Sequence, residues 1–177
     1  MATRYERALS RNAAELQKAI LIRKTLIGIE KHEYVSKTFT RIIYDALFND
    51  YISHAIKVFE NSKQASSFWY IYRSNQRPVD RYARQEGYDI SILREVSAKL
   101  RNIRNGTHFH IDEEGVLNPS EIWRGADLSG TALAGSIDFA WGAITSIQNS
   151  IGQKCPSLGN YTISDAERAI ELIESST

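Results

Sequence analysis

Ile90-Ser91-Ile92-Leu93-Arg94-Glu95-Val96-Ser97-Ala98-Lys99-Leu100-Arg101-Asn102-Ile103-Arg104-Asn105-Gly106-Thr107-His108-Phe109-His110-Ile111-Asp112 is the stretch on which the reading of the chain turns. Ile90, Leu93, Val96, Leu100 and Ile103 recur at spacings of three and four, the mark of a helix that buries one stripe. Arg94, Arg101 and Arg104 fall on a neighbouring face. Asp89 stands where an N-cap belongs. Gly106 predicts the end of the helix, because glycine adopts the left-handed conformation that closes helices. His108, His110 and Asp112 then come beside the arginines but off the continuous helix.

The same spacing recurs on both sides. Leu9, Ala13, Leu16 and Ile20 predict a helix from about Tyr5 to Ile29. Phe39, Ile42, Ala46, Ala55 and Phe59 predict a second from roughly Tyr34 to Asn61, and the short connection makes the two an antiparallel pair. The run Phe68-Trp69-Tyr70-Ile71-Tyr72 fits a buried helical turn or a short strand; helix is preferred, since no partner strand is evident. Pro78 then interrupts, separating Arg73 and Arg77 from Arg81 and Arg84. Residues Asp112 to Gly130 read as a long polar loop pinned by Ile122 and Trp123. Ser129 is expected to cap a helix from about Thr131 to Ile151, whose small residues, including Ala140, Gly142 and Ala143, admit a close neighbour. Gly152 to Thr162 reads as a loop. Ser164 with Glu167 has the pattern of a capping box before a last helix. The expectation is an all-α antiparallel bundle in one domain, residues 1–177, with a core large enough to fold alone.

Net charge is +1, so no global field draws the chain onto a polyanion and any attraction must be local. Residues 73–104 hold eight basic side chains against four acidic ones, while Asp112, Glu113, Glu114, Glu121 and Asp127 make the next stretch acidic. Cys155 is the only cysteine, which excludes an internal disulfide and fits a reducing compartment. The first residues, with Arg4, Glu6, Arg7 and Arg11, hold no apolar signal core. The longest apolar runs, such as Ala19-Ile20-Leu21-Ile22, are too short to span a bilayer. A soluble, cytoplasmic protein without a membrane partner is expected.

A metal reading of His108-x-His110-x-Asp112 exists, because alternation places all three on one face of a strand and imidazole and carboxylate are good zinc or iron ligands. No flanking strand pattern and no further His or Cys cluster completes such a site, so no metal and no cofactor are expected. His32 and His54 stand isolated on helices and read as surface or satisfied core residues. The aromatic run at 68–72 reads as core, with base stacking beside the arginines as its rival.

Arg104-Asn105, four further residues and His110 resemble the arginine–polar–spacer–histidine signature of HEPN ribonuclease domains. With Leu100-Arg101-Asn102-Ile103 before it and His110-Ile111-Asp112 after it, the stretch is similar to the AbiU-like branch, linked to abortive infection of phage-infected bacteria. The resemblance covers about a dozen residues; elsewhere only helical pattern and length agree. It implies an HEPN-like bundle with additional helices. It also implies a metal-independent endoribonuclease in which Arg104 stabilises the phosphorane, Asn105 orients its neighbours and His110 moves the proton. It further implies a homodimer that joins two such motifs, RNA as substrate and, for a toxin, an antitoxin protein. A second register, Arg101 to His108, fits with six residues between; Arg104–His110 is preferred because His110-Ile111-Asp112 matches the family's ending better. His108, Arg101, Arg94, Arg81 and Arg84 are candidate auxiliary or RNA-binding residues. The competing functional class is a non-catalytic HEPN-like module that binds RNA, a nucleotide or a protein.

Overall fold

The computed structural model describes residues 2–31, 38–108 and 119–175. Among these all regular structure is helical, without a strand. The elements are α1 (Arg4–Glu30), α2 (Thr38–Phe59), α3 (Phe68–Ser74), α4 (Gln76–Glu86), α5 (Ile90–Ile103), a π-helical turn (Arg104–His108), α6 (Pro119–Ala126), α7 (Gly130–Ser150) and α8 (Ile163–Ser175). No helix among the described residues is long and apolar enough to cross a membrane.

α1 is the axis of the bundle. It opens with a capping box: Glu6 N–H donates to Thr3 Oγ1 at 3.1 Å and Thr3 N–H to the Glu6 carboxylate at 2.6 Å, which satisfies two amides that a helix start leaves orphaned. α2 runs antiparallel to it, since Glu15 meets His54 and Glu30 meets Tyr44. α7 is antiparallel too. Arg23 reaches the Ala134 carbonyl at 3.1 Å and Asp138 at 2.7 Å, and Gln153 just beyond α7 reaches Ser10 at 2.6 Å.

The stripe of α5 is buried as its spacing requires: Leu93, Val96, Leu100 and Ile103 are at most 2% exposed. Each such side chain stabilises the fold by about 2 kcal/mol on leaving water. Asp89 caps the helix, accepting from Ser91 N–H at 2.8 Å. The aromatic run is helical and internal. Phe68, Trp69 and Ile71 are buried, and Trp69 Nε1 donates to Ser97 Oγ at 2.8 Å, tying α3 to α5. Gly142 has the predicted close neighbour: a Cβ there would lie 1.9 Å from Tyr82 Oη, so the tyrosine of α4 seats on α7 where a side chain is missing.

Three local expectations are corrected. Pro78 does not divide the arginines two and two. It sits in the first turn of α4, where an amide needs no intrahelical acceptor, and the break falls at Asn75, whose φ of −153° and ψ of 83° leave the helix. Arg77 therefore shares α4 with Arg81 and Arg84. The loop after the motif is not irregular to Gly130, because α6 occupies Pro119–Ala126, with Trp123 5.4 Å from the Phe48 ring. The last helix is capped two residues earlier than predicted. Asp165 accepts from both the Thr162 amide and hydroxyl at 2.8 Å, while Glu167 pairs with Lys31 at 2.6 Å.

Candidate active site

The end of α5 departs from the sequence expectation. Arg104 N–H still donates to the Leu100 and Arg101 carbonyls, so the helix does not stop there. It widens into the π-helical turn Arg104–His108. Gly106 is not among the glycines with positive φ, which are Gly87, Gly152 and Gly159. Its reason is spatial: a Cβ on Gly106 would lie 2.8 Å from Ile122 Cδ1 and 3.0 Å from Ile122 Cγ2. The missing side chain lets α6 close onto the turn. Turns of this kind, with one residue more than the α-helical repeat, are frequent at functional sites.

The turn presents Arg104 and Asn105. The Arg104 fork is held on two sides. Nε and one terminal nitrogen donate to Asn105 Oδ1 at 3.1 and 2.9 Å, and the other terminal nitrogen donates to Glu60, just beyond α2. Both members of the ion pair are part-exposed, Arg104 at 29% and Glu60 at 23%. The guanidinium is therefore oriented by Asn105 yet still reachable, the state a phosphate-binding arginine requires.

Arg104 forms one wall of an open cleft of about 700 Å³. Arg11 of α1, Ile56 and Lys57 of α2, Glu60 and Gln64 share the lining. A smaller hollow that also takes in Arg104 is lined by Arg101, Glu60 and Asn61. Thus Arg104 and Arg101 come together as the sequence suggests. Arg94, Arg81 and Arg84 are exposed and line neither hollow; Arg84 faces a separate depression with Asp80 and Tyr88. His110, together with the Asp112 of the metal reading, lies outside the described residues, as does the side chain of His108.

His54 is a satisfied core residue, one of the two outcomes its sequence position allows. It is buried with Nδ1 2.5 Å from Glu15 and Nε2 3.4 Å from Asp50. A carboxylate only accepts, so the Glu15 contact places a proton on Nδ1. Burial pushes the Glu15 carboxyl up, but the His54 hydrogen bond and the charges of Lys57 and Lys18 outweigh it and hold the group below its ordinary value. Asp50 and His54 are four apart on α2, a spacing visible in the sequence; Glu15 and Glu60 are partners that only helix packing supplies. Arg11, Lys57, Glu60 and Gln64 have no sequence signal of their own.

Compared with known proteins, the chain matches no family model, no curated protein and no solved structure.

Proposed function

We propose that the chain is an HEPN-like, metal-independent endoribonuclease of a bacterial toxin–antitoxin or phage-defence system. The observation that supports this reading is the Arg104 fork, oriented by Asn105 at the start of the π-helical turn and facing an open cleft, with His110 five residues beyond Asn105 in the chain. Cleavage without a metal moves a proton from the ribose 2′-hydroxyl to a base. The 2′-oxygen then attacks phosphorus, and the 5′-oxygen leaves with a proton from an acid. Negative charge accumulates on the phosphorane between these events, and a fixed cation there lowers the barrier. Arg104 supplies the charge and never deprotonates. His110 supplies the proton transfer, since an imidazole titrates near neutral pH. A homodimer that joins two motifs in one cleft would provide the second histidine, and an antitoxin would restrain the enzyme.

The test is cleavage of labelled RNA by purified protein in EDTA, wild type beside His110→Ala. Activity in the first and none in the second is expected. Equal activity in both removes the motif from the mechanism. A second reading, an HEPN-like module that binds RNA without cutting it, is favoured by one observation: Glu60 occupies Arg104. Binding without cleavage by the folded wild type would select it.

A further inference from the structure

The cleft beside Arg104 is larger than one arginine's phosphate contact needs, and its charge is unbalanced. Its cations come from three separate elements: Arg11 from α1, Lys57 from α2 and Arg104 from the π-helical turn. Its one carboxylate, Glu60, is already bound to Arg104. Arg11 pairs with no carboxylate among the described residues. Lys57 stands 3.6 Å from Glu15 with its side chain 47% exposed, which leaves ammonium protons free to turn into the cleft. Ile56, Gln64, Ala65, Ser66 and Ser67 complete the wall.

We infer that this cleft is a nucleotide subsite, in which Arg11 and Lys57 hold the backbone phosphate neighbouring the one that Arg104 engages. The inference rests on the ribonuclease reading for the identity of the ligand as RNA. Two cations on adjacent helices suit the two non-bridging oxygens of a phosphodiester. A volume of about 700 Å³ falls in the range of pockets that enclose a small organic ligand and exceeds what a lone carboxylate of a peptide fills. Ala65, with the buried Ile56 showing 5% of its surface, gives a ribose a small apolar patch to cover. Glu60 sets the order of events: a phosphate must share or take the Arg104 donors that Glu60 now holds, so the carboxylate weakens anion binding until substrate arrives.

The experiment is fluorescence anisotropy with a short labelled 2′-O-methyl RNA, which lacks the attacking hydroxyl and stays intact. Wild type, Arg11→Ala, Lys57→Ala, the double variant and Glu60→Gln are titrated over a salt series, with folding checked by circular dichroism. Each alanine variant is expected to bind about tenfold more weakly. The double variant should lose about 0.7 from the slope of log affinity against log salt, the contribution of one neutralised phosphate on a single strand. Glu60→Gln should bind more tightly. A nucleoside monophosphate should displace the probe and a glutamate peptide of equal charge should not. A folded double variant with wild-type affinity and salt slope overturns the inference, as does displacement by the peptide alone, which would assign the cleft to an acidic protein segment. The two proposals fail separately. RNA cleavage that depends on His110, with binding indifferent to Arg11 and Lys57, keeps the nuclease and removes the subsite. Binding that depends on both cations, without any cleavage by the wild type, keeps the subsite and removes the nuclease.

Discussion

Two polar clusters sit towards the end of α2, one on its second half and one just beyond it. One is His54 with Glu15 and Asp50; the other is Glu60 with Arg104 and Asn105. The first is closed. His54 is 5% exposed and both of its ring nitrogens face carboxylates. The second opens onto a cleft with two further cations, Lys57 and Arg11, of which Arg11 has no acidic partner among the described residues. A histidine between two carboxylates invites a catalytic reading by composition alone. Burial reverses it: a group whose partners are satisfied inside the protein holds helices together, whereas cations in excess at an open wall await an external anion.

The sharpest way to break this contrast is Arg104→Ala. RNA cleavage should fall by at least about 100-fold, the usual loss when a transition-state donor is removed. Because the ion pair with Glu60 is part-exposed, unfolding free energy should drop by less than about 1 kcal/mol. Urea denaturation beside a cleavage assay reads both. The mirror variant is His54→Ala, expected to cost about 3 kcal/mol through the cavity and the lost hydrogen bond to the Glu15 carboxylate, with cleavage per folded molecule retained. Loss of cleavage at undiminished stability would exchange the roles of the two clusters.

Gly106→Ala probes the seat of the open cluster. The new methyl meets Ile122, so a cost of about 1–2 kcal/mol is expected, and Ile122→Ala in the same chain should recover most of it in a double-mutant cycle. The smallest effect concerns acid. Glu15 has its folded value below its ordinary 4.5. Its contribution is therefore complete above about pH 4.5 and is lost as the pH falls through the lowered folded value. Glu15→Gln should flatten that part of the stability profile, measured as melting temperature against pH. An unchanged slope would mean that the His54 pair does not hold the carboxylate charged.

Short-range patterns make most of the fold legible. The α5 stripe, the Asp89 and Ser129 caps and the glycine against which Tyr82 packs all follow from residues within a few positions of one another or from side-chain size. The details that differ have local causes. Pro78 is compatible with a break or with a helix start, and Thr162 outcompetes Ser164 because its amide and hydroxyl both reach Asp165. The candidate site is legible only on its α5 side. Arg104 and Asn105 are sequence neighbours, but Glu60 lies 44 positions away and Glu15 lies 39 from His54. No periodicity encodes such pairs; they depend on how α1, α2 and α5 pack. Gly106 stands out in the sequence for a reason the sequence does not reveal, because a glycine that permits close approach and one that permits positive φ are the same letter.

The π-helical turn fits one residue more than an α-helical turn into nearly the same arc. An α-helix advances about 100° per residue, so a one-codon deletion within α5 would swing everything beyond it by about that angle. The same deletion within Arg104–His108 would return the turn to the α repeat, and the tighter winding would recover the lost arc. The turn is therefore slack in the chain, a place where a residue can be shed without re-aiming the backbone that follows or altering any side chain contributed by α1 or α2.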